Sequence, residues 1–179
     1  MDIKKATNAI KIGHFIIKNG HRNKIDIAYE GNIDNSILKA DTPRVYLFTQ
    51  DSIIKKIGGS ASRGGIKATM NFYTSAMTGS PGVPRFVVHL LLREALDSGS
   101  NVDLYMITSS TVEAKISGLF ETKIVQIASF KEMEDLCRHN YFKTENRYPD
   151  WNFQENHEGY PVEFAKLHNT YQKNRLLGS

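Results

Sequence analysis

Residues Arg44 to Tyr73 leave the chain little freedom of local structure. Val45 to Phe48 is a β-branched and aromatic run, Gln50-Asp51 is a polar turn, and Ile53 to Ile57 is a second apolar run. Two such runs around so short a turn predict a β-hairpin. The next eight residues, 58–65, hold four glycines (Gly58, Gly59, Gly64 and Gly65) and read as a loop. From Ile66 through Met70 and Phe72-Tyr73 to Met77, apolar residues recur at near-helical spacing and predict a helix. A glycine-rich exit into a helix lets backbone approach a ligand closely, commonly a phosphate. The spacing matches neither a P-loop nor a dinucleotide fingerprint, so the loop alone does not make a nucleotide enzyme.

The flanking sequence supplies more strands and helices. Ile3, Ala6 and Ile10 fit a short helix, and residues 11–18 fit a strand. Asn19-Gly20 is a turn signal, and Lys24 to Tyr29 alternates polar with apolar. Residues 11–29 therefore predict a second hairpin with His21, Arg22 and Asn23 at its tip. This basic tip suits a solvated turn and a DNA-groove contact equally. A loop with one helical turn is expected over 31–40. Gly79 to Pro84 breaks the chain before a short apolar helix, Arg85 to Leu96. Ser98-Gly99-Ser100 ends it, and Val102 to Ile107 alternates as a third strand. Residues 108–128 fit no single template, although Lys123 to Ile127 suits a further strand. Ser129 with Glu132 forms a capping-box pattern opening a helix to about Phe142, with Phe130, Met133, Leu136, Cys137 and Tyr141 inward. Pro149 to Asn152 closes this region, and Val162 to Leu177 predicts a polar, basic helix.

The expected class is α/β (α+β): a small, mostly antiparallel sheet flanked by helices. We divide residues 1–179 into an N-terminal hairpin extension (1–40), a core (44–152) and a C-terminal extension (153–179). The net charge of +4 and pI near 9.1 permit a polyanionic partner. Basic residues cluster in the first 25 positions (Lys4, Lys5, Lys11, Lys18, Arg22, Lys24), around the central hairpin (Lys55, Lys56, Arg63, Lys67) and in the tail. The single Cys137 excludes an internal disulfide and a cysteine metal cage. No apolar stretch approaches the roughly 18 residues of a membrane span. The first residues lack the apolar core of a signal peptide, so a cytoplasmic location, bacterial or phage-encoded, and no membrane partner are expected.

The order of hairpin, glycine segment, two helices, strand and a helix with an early glutamate resembles the GIY-YIG nuclease superfamily. Its two motifs correspond here to Arg44-Val45-Tyr46 and Lys56-Ile57-Gly58, with Tyr46 and Lys56 ten residues apart. Equal parity lets both side chains share one sheet face if the turn preserves register. The resemblance covers about residues 44–152. It is nearest to the type II restriction endonuclease branch and a related small phage endonuclease that degrades host DNA. Arg44 stands where the family has a glycine, and Lys56 where it has a second tyrosine.

That resemblance implies roles. Tyr46 would be the general base, its pKa lowered by cations such as Lys56. Arg63, Lys67 and Arg85 compete to face the scissile phosphate. His89, four residues after Arg85 on one helix, joins the candidates. One carboxylate would hold one divalent ion, Mg²⁺ or Mn²⁺, per site. We favour Glu134, which shares a helix face with Phe130, Cys137 and Tyr141, over Glu132, which capping alone explains. Asn152 would position phosphate or water, or serve as a turn residue. Arg22, Lys24, Arg63, Lys67 and Arg85 are the candidate DNA contacts. The expected activity is sequence-specific hydrolysis of double-stranded DNA, as a type II restriction enzyme, leaving 5′-phosphate and 3′-hydroxyl ends. A domain this small reads a symmetric site most simply as a homodimer. The alternatives are a phage or mobile-element endonuclease of relaxed specificity and a catalytically silent DNA-binding module.

Overall fold

In the computed structural model, which describes residues 1–20, 24–110, 112–127 and 130–177, the central hairpin is β3 (Arg44–Gln50) and β4 (Ile53–Ser60). Asp51 and Ser52 both have positive φ, +48° and +70°, as a tight two-residue hairpin turn requires. β1 (Ile10–Ile17), β2 (Ile25–Tyr29) and β5 (Val102–Thr108) complete a five-stranded, wholly antiparallel sheet in the order β2-β1-β5-β3-β4. β3 lies inside the sheet, with Val45, Tyr46, Leu47 and Phe48 all buried. This explains why its sequence is a continuous apolar run rather than an alternating one.

Helices cover both faces. On one face α2 (Gly65–Thr74) and α3 (Val83–Asp97) bury Ile66, Met70, Tyr73, Val88 and Leu92 against Tyr46, Phe48, Leu104 and Phe15. α1 (Asn35–Lys39) adds Leu38. On the other face, α4 (Phe130–Glu145) and the 3₁₀ turn Ile3–Lys5 cover Val45, Leu47, Ile54 and Ile57 with Tyr141 and Ile3. Full burial of a side chain such as Phe48 contributes about 1.5–3 kcal/mol. α5 (Val162–Leu177) docks on α3: Phe86 meets the rings of His168 and Tyr171 at 5.2 and 5.4 Å, and His168 Nε2–H donates to the Pro81 carbonyl at 3.0 Å. The polar, basic helix expected over 162–177 is thus packed against α3.

Several expectations change. Gly58, Gly59 and Ser60 are not loop but the end of β4, paired with Tyr46, Val45 and Arg44. The predicted helix over 66–77 ends at Thr74, and a 3₁₀ turn, Ala76–Thr78, continues it. Residues 108–128 contain a second, two-stranded sheet, β6 (Val112–Ser117) with β7 (Thr122–Ile127). Leu136 does not point inward; it is 60% exposed beside the half-buried Cys137. The hairpin tip His21, Arg22 and Asn23 and the cap Ser129 lie outside the described residues. No helix among the described residues is long and apolar enough to cross a membrane.

Candidate active site on the edge of the sheet

The register of the central hairpin decides where the site forms. Its turn pairs Gln50 with Ile53 and Thr49 with Ile54. Continued without interruption, that register would set Tyr46 opposite Ile57 and put Lys56 on the other face. A bulge between Phe48 and Thr49 absorbs Lys55, so that Phe48 pairs with Lys56 and Tyr46 with Gly58. Tyr46, Phe48, Lys56 and Gly58 consequently share one face. The carbonyl of the bulged Lys55 accepts the Trp151 N–H at 2.8 Å, and Lys55 Nζ pairs with Asp150 at 2.7 Å.

β4 is an edge strand, and the segment around Asn152 closes part of that edge. The Asn152 side chain accepts from the Ile57 N–H and donates to the Ile57 carbonyl, both at 2.9 Å. Its amide thus imitates a neighbouring strand, and Asn152 is buried. That occupies the side chain for which phosphate or water positioning and a turn role were the two expectations; its own N–H donates to the Pro149 carbonyl at 2.9 Å, as in a turn.

Beyond Ile57, two glycines leave the edge open to both faces. The ring of Tyr46 lies against Gly58, where a Cβ would overlap its Cζ and Oη. Glu134 comes over Gly59 from the α4 side, where a Cβ would stand 2.7 Å from its Oε2 and 2.9 Å from Phe130 Cδ2. The Gly59 N–H favours the ionised Glu134 carboxylate. Arg138, one turn later on α4, pairs with Glu134 and reaches Glu155 at 2.7 Å. Lys56 and Arg138 line a crevice of about 130 Å³ with Trp151, Asn152 and Glu155.

The electrostatics reverse one expectation. The Tyr46 hydroxyl is held well above the ordinary tyrosine value, first by burial, then by Tyr73 and Glu134, against a smaller opposing effect of Arg138. Its oxygen lies 2.7 Å from that of Tyr73, so the two phenols share a hydrogen bond. Tyr73 is also raised by burial, against the hydrogen bond with Tyr46 and then the charge of Arg85, both of which favour its ionised form. The lowering of Tyr46 expected from Lys56 is therefore outweighed: desolvation of a phenolate costs more than distant cations return. Lys56 moves the opposite way. Burial pushes its ammonium down to about 8, although Glu155 and Glu134 favour the charge. Burial also raises Glu134, while Arg138, the Gly59 N–H and Lys56 favour its ionised form.

The other sequence candidates scatter. Glu132 is exposed in the first turn of α4, away from Glu134's contacts. Lys67 Nζ donates to Asn35 at 2.7 Å and sits 5.0 Å from the centre of the Tyr29 ring, on the β2 side of α2. Arg63 is exposed in the β4–α2 connection, and Lys24 is exposed just before β2. Arg85 is exposed, with its guanidinium 4.2 Å over the Phe72 ring and its field on Tyr73. His89 is buried below it; its Nδ1–H donates to the Tyr73 carbonyl at 2.7 Å, and burial lowers its pKa. Arg44 is 1% exposed and spends its guanidinium on the carbonyls of Ala40 (2.5 Å) and Ser62 (3.3 Å). It anchors the connection to α2, a structural use for the residue that departs from the motif.

Two solved structures share this architecture. A mutant of bacteriophage T4 EndoII matches with a TM-score of 0.53 at 18% identity, over 84% of this chain and 95% of that one. Restriction endonuclease HPY188I, in complex with product DNA, matches with a TM-score of 0.50 at 19% identity, over 83% and 84%. No known family profile and no curated protein matches the sequence. The chain shares the fold of these two structures, an antiparallel sheet flanked by helices.

Within that fold, Tyr46, Lys56 and Glu134 converge at one place, with Arg85 at its margin. Tyr73, Arg138 and Glu155 were not singled out in the sequence. Arg138 had a signal, because a cation four residues after Glu134 on a helix faces it. Tyr73 and Glu155 had none, since only packing brings them to the site.

Proposed function

We propose that this chain is a divalent-metal-dependent endonuclease of double-stranded DNA, built as a GIY-YIG nuclease and acting as a type II restriction enzyme. The observation that carries this reading is the meeting of Tyr46 and Glu134 over Gly58-Gly59, flanked by Lys56 and Arg138. A phosphodiester needs such a set: hydroxyl and amine groups to handle the proton of the attacking water, cations for the phosphoryl charge, and a hard oxygen donor. The fold shared with a restriction endonuclease held with product DNA supports DNA as the substrate.

The donor set fits Mg²⁺ or Mn²⁺. Among the described residues no three His, Cys, Asp or Glu side chains cluster. An ion held by Glu134 alone would complete its shell with water and phosphate oxygens, as Mg²⁺ does. Bound there, it would supply Lewis-acid polarisation of the phosphoryl oxygen. In this reading Arg138 keeps Glu134 ionised and placed. Tyr46 Oη, a neutral phenol anchored by Tyr73, orients the attacking water. Lys56, with a pKa of about 8, accepts the proton at Nζ. This moves the general-base role from Tyr46, the sequence expectation, to Lys56. Arg85, whose charge acts on Tyr73, takes the phosphate-contacting role in this reading.

The test is digestion of a sequenced plasmid with Mg²⁺, followed by sequencing of the ends. Discrete fragments with 5′-phosphates are expected. A smear would favour the enzyme of relaxed specificity, and gel retardation without cleavage the silent binding module.

A further inference from the structure

The β6–β7 hairpin has no part in the site above. Among the described residues, no large apolar side chains are more exposed than Leu119 (92%) and Phe120 (99%), in the turn that joins its strands. Ile116 and Ile124 on the strands are also exposed. The hairpin is a sheet of its own. A lone two-stranded hairpin is marginal in water, so one presenting this much apolar surface gains stability by covering it. Its charges are balanced, Glu113 and Glu121 against Lys115 and Lys123. A phosphate polymer would draw no net attraction from it.

A matching surface lies on the same chain. An open groove of about 460 Å³ runs between the sheet and α4, floored by Leu47, Ile54 and Ile57 and walled by Met133, Leu136 and Cys137. Lys5 carries the one charged side chain among the described residues that line it. Thr108 and Ser109, where the chain leaves β5 for the hairpin, also line it, so the root of the arm adjoins the groove. We propose that the hairpin is an exchange arm, and that Leu119 and Phe120 of each copy seat in this groove of a second copy of the chain. With arm and groove adjacent, one two-fold axis satisfies both contacts at once and closes the assembly as a dimer. The proposal rests on the homodimer expected from the sequence and not on the chemistry of the proposed cleavage.

The single cysteine supplies the test. Phe120→Cys places a thiol at the arm tip, and Cys137 is the chain's only other thiol. A disulfide forms only where the two Cα atoms come within about 7 Å. Mild oxidation with diamide, without DNA or metal, is expected to give a covalent dimer on a non-reducing gel. Adding Cys137→Ser should abolish it. Wild-type chain should sediment as a dimer. Phe120→Asp should raise the dimer dissociation constant at least about 30-fold with an unchanged circular dichroism spectrum, the side chain being exposed. A wild-type monomer at all concentrations overturns the proposal, as does a cross-link that survives Cys137→Ser. So does a Phe120→Asp chain that still dimerises but loses DNA affinity, which would make the arm a wedge between base pairs. Each of these outcomes leaves the cleavage reading intact, because no step of the test involves cutting.

Discussion

Tyr46 and Glu134 stand on opposite faces of the sheet and come together over adjacent glycines of its edge strand, Tyr46 across Gly58 and Glu134 across Gly59. Successive residues of a strand point to opposite faces. Two adjacent positions without side chains are therefore what opens the edge from both sides at once. In this chain the two glycines make room for that convergence.

Tyr46→Phe removes one hydroxyl and leaves Tyr73 without its 2.7 Å partner. An unsatisfied buried hydroxyl costs about 1–3 kcal/mol. We expect a folded protein that binds DNA with unchanged affinity and does not cut it, checked by gel retardation beside plasmid cleavage. Normal cleavage would remove Tyr46 from the mechanism.

Glu134→Gln keeps the shape of the side chain and removes its charge. Cleavage should fall on the order of 10³-fold, comparable to losing a strong transition-state contact, with DNA binding retained. Glu132→Gln should leave the rate unchanged, because Glu132 is exposed. If the two variants behave the other way round, the ligand is Glu132.

The glycines can be tested separately. In Gly58→Ala the new methyl overlaps the buried Tyr46 ring. Overpacking of this kind costs about 1–3 kcal/mol, readable as a lower urea midpoint. In Gly59→Ala the methyl would stand 2.7 Å from Glu134 Oε2. The carboxylate, the end of a flexible side chain, shifts within its pairing with Arg138, and the Phe130 ring at 2.9 Å must give way with it. The expected result is a higher Mg²⁺ concentration for half-maximal cleavage.

The lowered pKa of Lys56, about 8 against 10.5, has two consequences of defined sign. If Lys56 accepts the proton, kcat/KM rises with pH through about 8, and Lys56→Arg, always protonated, loses activity and that limb together. Between pH 8 and 10.5 the unfolded chain holds a proton that the folded chain has released, so stability rises with pH over this window. Lys56→Met should remove that increment from the pH dependence of unfolding. A pH-rate profile identical in Lys56→Arg would exclude the role.

His89 gives the acid side. Burial holds its folded pKa below the ordinary 6.5. As pH falls below 6.5 the unfolded chain takes up a proton that the folded chain resists, and stability is lost. His89→Gln keeps a donor near the Tyr73 carbonyl and does not titrate, so its unfolding midpoint should fall less between pH 7 and 5 than that of the wild type.

Local pattern carried most of the elements. The runs Val45–Phe48 and Ile53–Ile57, the alternation from Val102 and the helical spacing in 85–96 and 162–177 each correspond to an element near the expected bounds. These patterns are legible because a strand or helix imposes its own period on the residues it buries. The antiparallel sheet flanked by helices follows from their order. Residues 108–128 were hard to read because the described side chains of that hairpin, Ile116 and Ile124 among them, include no fully buried face that would impose a period.

Tertiary structure decided the site. Whether Lys56 shares a face with Tyr46 turns on one bulged residue, Lys55, whose carbonyl is taken by Trp151 nearly a hundred positions later. Nothing in the hairpin's own sequence announces that partner. The protonation of Tyr46 was settled by how deeply packing buries it, a sum over the whole core that outweighs its charged neighbours. Sequence named Tyr46, Lys56 and Glu134 one at a time; the edge strand with its paired glycines is what brings them near one another.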